Sequence, residues 1–204
     1  MKLNLGCGSH VPDGWINVDY ALGARFVKLP FFSLVNKKLK LFDMDWGKKI
    51  YLHDLTKKFP WDSSSIDVIY SSHTLEHFSR EEGRTFLGEC YRVLRKGGII
   101  RIVVPDLMHN VIEYIEGRIR ADDFLELLGV LYGDSSNEMK KKLAPFYKYP
   151  HKCMYDTPRL VTILNEIGFQ ASSRGAFDSD IEGIRMIELE GRTEHSVIAE
   201  GRKA

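Results

Sequence analysis

The sequence predicts an α/β fold built on an open, largely parallel sheet, and three observations carry that prediction. Short β-branched runs recur along the first half, and each stops at Gly, Asp, Ser or Pro, the punctuation of strands. A helix-period segment lies between the fourth and fifth runs, and a strand–helix–strand order implies a right-handed parallel crossover. The fifth run, Ile99-Ile100-Arg101-Ile102-Val103-Val104, is apolar almost throughout, which implies cover on both sheet faces.

The elements follow in order. Leu3–Leu5 reads as the first strand, ending in Gly6-Cys7-Gly8, and Trp15–Val18 as the second, ending at Asp19. Ile50–Leu52 is the third, ending at His53-Asp54, and Ile66–Tyr70 the fourth, ending at Ser71-Ser72. Between Glu82 and Arg95, Phe86, Leu87, Cys90, Tyr91, Val93 and Leu94 recur at helical spacing, and Gly97-Gly98 stops them. Val111 to Ile119 and Phe124 to Leu131 look like two further helices within a block from Leu107 to Tyr149. This block reads as a helical insertion, over 107–150, capping the sheet's active edge. A helix with Thr157 as N-cap and Pro158 as first residue runs to Gly168. Phe169–Phe177 and His195–Lys203 read as a closing strand pair, with a strand or loop between them.

The 204 residues suit a single domain, 1–204, and 44% hydrophobic with 28% charged residues excludes disorder, collagen and coiled coil. Lys+Arg at 29 against Asp+Glu at 28 gives a net charge of +1, so nucleic acid is not expected as a partner. No apolar run approaches the ~20 residues of a membrane helix, and Met1-Lys2 leads straight into the first strand, so no signal peptide is expected. The three cysteines, Cys7, Cys90 and Cys153, are far apart and outside CxxC pairs, so free thiols in a reducing cytoplasm are expected. Residues 26–42, apolar then Lys-rich, are either a helix packed on the sheet or a peripheral membrane contact.

Ligands of open parallel sheets sit beyond the strands' carboxyl ends. Here those ends carry a glycine loop and then acids: Asp19 is placed to accept both hydroxyls of a ribose, and Asp54 to accept from an adenine amino group. Together they describe an adenosine site. A dinucleotide fingerprint would put a third glycine at position 11, which is Val11, and an acid ~20 residues on. A P-loop would need Lys-Ser or Lys-Thr after the glycines, and none follows.

Leu3-Asn4-Leu5-Gly6-Cys7-Gly8, Asn17-Val18-Asp19, Asp54-Leu55, Asp67 to His77 with Ser71-Ser72-His73-Thr74-Leu75-Glu76-His77, and Tyr91-Arg92-Val93-Leu94-Arg95-Lys96-Gly97-Gly98 together resemble the class I S-adenosylmethionine-dependent methyltransferases, of the type 11 group. The resemblance implies a doubly wound, Rossmann-like, seven-stranded sheet, mostly parallel, with an antiparallel last strand. It implies S-adenosylmethionine as cofactor, held by Asn4, Gly6, Cys7, Gly8, Asp19, Tyr20, Asp54, Leu55 and Ser71. Asn4 stands where family members commonly carry an acid, and His10 where they carry a third glycine. Ser9–Trp15, with Pro12 and Gly14 inside, leaves room for about one turn of the usual first helix.

His73, His77 and Asp106 are the candidate catalytic bases, since all should open onto the pocket. Cys7 reads as a small residue beside the cofactor rather than a nucleophile. His73-x-x-Glu76-His77 also spells a zinc-peptidase motif, but that motif needs a long helix and a further ligand. No metal is therefore expected. The expected function is methyl transfer to a small-molecule or glycan-type acceptor. A non-catalytic S-adenosylmethionine-binding protein, a zinc-dependent hydrolase and a nicotinamide-dependent oxidoreductase are the alternatives.

Overall fold

The computed structural model describes residues 1–21, 24–25, 49–129 and 150–204. The 26–42 stretch, Leu131, Lys140-Lys141-Lys142 and the aromatic turn ending at Tyr149 lie outside the described residues.

Seven strands form one sheet: β1 (Lys2–Leu5), β2 (Ile16–Asp19), β3 (Tyr51–Leu52), β4 (Ile66–Ser72), β5 (Leu94–Pro105), β6 (Phe169–Ser173) and β7 (Ser196–Lys203). Their spatial order is β3-β2-β1-β4-β5-β7-β6. The first five run parallel, while β7 pairs antiparallel with both β5 and β6. The expected seven-stranded, mostly parallel sheet with an antiparallel last strand is thus the observed one.

Side-chain alternation along β5 explains its unbroken apolar run. Ile100, Ile102 and Val104 face a core shared with α1 (Arg80–Val93) and α4 (Thr157–Ile167). Ile99 and Val103 face the other way, against Ile181, Ile184, Ile187 and Trp15. A strand covered on both faces needs no polar register. α1 starts on a capping box, in which Ser79 Oγ accepts from the Glu82 amide and the Glu82 carboxylate accepts from the Ser79 amide.

Several boundaries differ from the sequence reading. α1 ends at Val93 rather than Arg95, because Leu94 already pairs with Ile66 on β4; a bulge follows, with Gly97 at φ +73°. α4 is capped by Asp156, whose carboxylate accepts from the Arg159 amide, so Thr157 lies inside the helix rather than at its cap. β6 stops at Ser173, and between it and β7 lie a 3-10 turn, Ile184–Met186, and a short helix, α5 (Glu190–Thr193). After β5 come two helices, α2 (Leu107–Ile115) and α3 (Ala121–Leu127).

The largest departure lies between β1 and β2. The expected single helical turn is absent, and ten residues, 6–15, make the parallel crossover as turns alone. Two buried amides satisfy that loop's carbonyls. Asn4 Nδ2 donates to His10 O at 3.0 Å and to Asn17 Oδ1 at 2.8 Å, and Asn17 Nδ2 donates to Pro12 O at 3.1 Å. The 175–189 segment, through Ile181, Ile184 and Ile187, covers much of the sheet face left bare.

Candidate active site

The ends of β1 to β4 open onto a cavity of about 430 Å³. Its lining includes the glycine loop (Gly6, Gly8), the end of β2 (Asp19, Tyr20), the segment after β3 (Asp54, Leu55) and the segment after β4 (His73, Thr74, His77, Phe78), with Arg192 from α5.

The glycines are required by geometry. Gly6 sits at φ +72°, and a Cβ placed there would lie 2.0 Å from Thr74 Oγ1. Gly8, at φ +56°, brings its backbone within reach of the β2 acid, and its amide donates to Asp19 Oδ2 at 2.8 Å. The Ala21 amide donates to Asp19 Oδ1 at 2.7 Å, so this carboxylate joins the glycine loop to the end of β2. Each of its oxygens keeps a second lone pair for a ligand. Asp54 Oδ1 accepts from the Thr56 amide and hydroxyl at 3.0 and 2.7 Å, which fixes the turn that presents Leu55 to the cavity.

His73 follows β4 in a left-handed conformation, φ +51°, and its Nε2 lies 2.9 Å from Arg192 O. Burial holds its pKa below the ordinary imidazole value. Glu76 is fully buried behind it, and burial pushes its carboxyl up to about 8, against a smaller pull from Arg192. His73 Nδ1 stands 3.6 Å and His77 Nε2 3.9 Å from Glu76 Oε1.

The sequence-chosen residues therefore divide. Gly6, Gly8, Asp19, Tyr20, Asp54, Leu55, His73 and His77 share the cavity. Asn4 and Cys7 line a small adjoining pocket with Gly6 and His10 instead, and Asn4 stitches the helix-free loop. Burial pushes the Cys7 thiol up to about 12, so it is no thiolate nucleophile at neutral pH. Ser71 is buried below the cavity floor, where its hydroxyl donates to Leu5 O at 3.0 Å. Asp106 lines neither pocket and caps α2, with Oδ1 accepting from the Met108 amide at 2.9 Å.

Sequence reasoning missed Arg192 and Phe78, and it read His151 only as part of the aromatic end of the cap, not as a neighbour of His77. Arg192 lines the cavity beside the glycine loop, with Nη2 3.7 Å from a Cβ built on Gly8 and Nη1 3.5 Å from Ser72 O. His151 packs its ring on that of His77 at 5.1 Å between centroids, a neighbour no sequence spacing could reveal.

A glycine loop and strand-end acids around one cavity, with Arg192 beside the loop, suit an adenosine-bearing ligand with a charged tail. A sequence model of the methyltransferase-domain family matches residues 3–102, from β1 into β5. The chain is similar in fold to an S-adenosylmethionine-dependent methyltransferase from Methanosarcina mazei, at 14% identity and TM-score 0.54 over 99% of this chain and 91% of that one. It is similar to one from Archaeoglobus fulgidus, at 16% and 0.51 over 99% and 85%. It also resembles the 1,6-didemethyltoxoflavin-N1-methyltransferase of Burkholderia thailandensis, determined with 1,6-didemethyltoxoflavin and S-adenosylhomocysteine bound, at 13% and 0.50 over 100% and 70%. Among curated proteins, none matches this sequence.

Proposed function

The chain belongs to the class I S-adenosylmethionine-dependent methyltransferases, and we propose that it transfers the methyl group to a small-molecule or glycan-type acceptor. S-adenosylmethionine is its cofactor. The observation that carries the reading is the cavity itself, where the Gly6–Gly8 loop, Asp19, Asp54 and Leu55 ring one space at the strand ends.

The cofactor is assigned as follows. Asp19 takes the ribose hydroxyls, Asp54 and Leu55 take the adenine, and the Gly6–Gly8 backbone lies along the methionine. Arg192, the guanidinium beside that loop, pairs with the methionine carboxylate. His73, His77 and Phe78 line the acceptor side, and Asp106 keeps its capping role. Methyl transfer from a sulfonium is an in-line displacement, so the protein contributes mainly by holding acceptor and methyl in line and excluding water.

Residues 107–150 serve as the acceptor-side cap. Leu107 donates its amide to Tyr155 O, and α2 keeps Ile112 and Ile115 exposed. Gly129 packs on His151, whose ring lies against that of the cavity residue His77. The small-molecule class is supported by the balanced charge and by the Burkholderia neighbour, which was determined with 1,6-didemethyltoxoflavin bound. Among the described residues no helix is long and apolar enough to cross a membrane, and the three free cysteines support a cytoplasmic setting.

Incubation with methyl-labelled S-adenosylmethionine and a panel of polyhydroxylated, amine and carboxylic-acid acceptors tests this. Label in a small acceptor with matching S-adenosylhomocysteine release is expected. Label found only in nucleic acid or protein would overturn the acceptor class.

A further inference from the structure

The carboxylate behind the cavity wall is unusual. Glu76 is fully buried, and neither of its oxygens takes a hydrogen bond. Imidazoles surround it: His73 Nδ1 at 3.6 Å, His77 Nε2 at 3.9 Å, and His151, whose Nδ1 is buried and takes no hydrogen bond. One donor atom each from Glu76, His77 and His151 lie within 4.8 Å of one another.

The rings are held from behind. His73 Nε2 meets Arg192 O at 2.9 Å, and His77 Nδ1 meets Pro150 O at 3.3 Å. A carbonyl only accepts, so the ring nitrogen facing it carries the proton. In neutral His73 the other nitrogen then turns its lone pair on Glu76. A buried carboxyl group facing an imidazole lone pair is satisfied by a proton or by a metal ion between them. Carbonyls bonded to the far side of imidazoles are the usual orienting partners of ligating histidines. The surroundings are also fixed: the Lys152 and Cys153 amides donate to Glu76 O at 2.8 and 3.1 Å, and a Cβ on Gly129 would lie 2.7 Å from the His151 ring.

We propose that Glu76, His77 and His151 bind one divalent transition-metal ion in the wall of the S-adenosylmethionine cavity, with an open coordination position that takes an oxygen of the methyl acceptor. Two imidazoles and a carboxylate with a vacant position form a ligand set typical of catalytic zinc, and imidazole favours zinc and its neighbours over calcium or magnesium. His77 lines the cavity, so the vacant position opens towards the acceptor. A hydroxyl bound there loses its proton to solvent more readily. Its oxygen forms the new O–CH₃ bond as the S–CH₃ bond breaks and the electron pair stays on sulfur, giving a methyl ether and S-adenosylhomocysteine. The acceptor half of the proposal rests on the methyltransferase reading, while the metal half does not. It reverses the expectation of a metal-free site, which rested on the want of a third ligand; His151 supplies it.

The test is calorimetric titration of ZnCl₂ into the full EDTA-treated chain, with CoCl₂ giving a visible spectrum of the ligand set. One zinc per chain is expected, weakened at least tenfold in His151→Gln and in Glu76→Gln, with folding of both checked by circular dichroism. His109→Ala, outside the cluster, should bind zinc as the parent does. Absence of stoichiometric zinc, or zinc that survives both cluster substitutions, overturns the site. S-adenosylhomocysteine titrated into the same EDTA-treated chain separates the two readings. Cofactor without zinc removes only the metal; zinc without cofactor removes the methyl-transfer role and leaves the metal.

Discussion

Arg101 on β5 and Glu188, just before α5, form a fully buried bidentate ion pair, Nε to Oε1 at 2.8 Å and Nη2 to Oε2 at 2.9 Å. Glu200 on β7 accepts from Nη1 at 3.1 Å, and the Gly175 and Asp178 carbonyls accept the remaining bonds at 2.9 and 2.8 Å. The guanidinium is thereby satisfied inside an apolar face, and it fastens the 175–188 segment onto the sheet. Arg192 lies four residues beyond that clasp, so a structural ion pair positions a cavity cation.

Arg101→Leu would leave Glu188 and Glu200 buried without their cationic partner, held only by the Phe177 and Asp180 amides and the Ser179 hydroxyl. Removing one member of such a pair costs ~3–5 kcal/mol, and urea unfolding should read a loss of that size. S-adenosylhomocysteine affinity should fall with it, as Arg192 loses its anchor. A variant as stable as the parent would show that the clasp does not hold the segment.

Arg192→Met removes the proposed carboxylate partner. Loss of a charged hydrogen bond costs ~1.5–3 kcal/mol, so S-adenosylmethionine should bind that much more weakly. 5′-Methylthioadenosine, which lacks the amino-acid tail, should bind parent and variant alike. An equal loss for both ligands would place Arg192 elsewhere on the cofactor.

Gly6→Ala puts a Cβ at φ +72° against Thr74. Strained backbone of this kind costs ~1–3 kcal/mol, beyond the displacement of Thr74 into the cavity. Both the melting temperature and S-adenosylhomocysteine affinity should drop. Pairing the change with Thr74→Ala should recover part of the loss and not all of it, because the φ strain remains.

Asp106→Ala should cost ~0.5–2 kcal/mol of stability, as for the loss of an N-cap. S-adenosylhomocysteine affinity should stay within error, since the side chain faces the start of α2 and not the cavity. A large fall in affinity would return Asp106 to the site.

What the sequence made legible was local. Strand ends declare themselves through Gly6, Asp19, Asp54 and Ser71-Ser72, because a parallel sheet places its ligand there whatever the remaining chain does. Asn4, read as a cofactor contact, bonds the His10 carbonyl, a partner that exists only once the loop abandons a helix. Arg192 was illegible for a different reason: it reaches the cavity through a distant contact, Arg101 with Glu188. The place of His151 against His77 likewise rests on a long-range contact, the Lys152 and Cys153 amides on the Glu76 main chain. In the 175–193 segment the only apolar recurrence is Ile181, Ile184 and Ile187, too short to announce a regular element. Its place follows from one buried arginine in an otherwise apolar strand, a signal present in the sequence as Arg101 and not used.

The central claim is that the strand-end cavity holds the adenosine of S-adenosylmethionine on Asp19. Calorimetric titration of S-adenosylhomocysteine into the parent chain and into Asp19→Ala tests it most directly. The account predicts one site per chain in the parent and a loss of ~1.5–3 kcal/mol in the variant, as for removal of a charged hydrogen-bond partner. Equal affinity in the two proteins, or no binding in the parent, would contradict it.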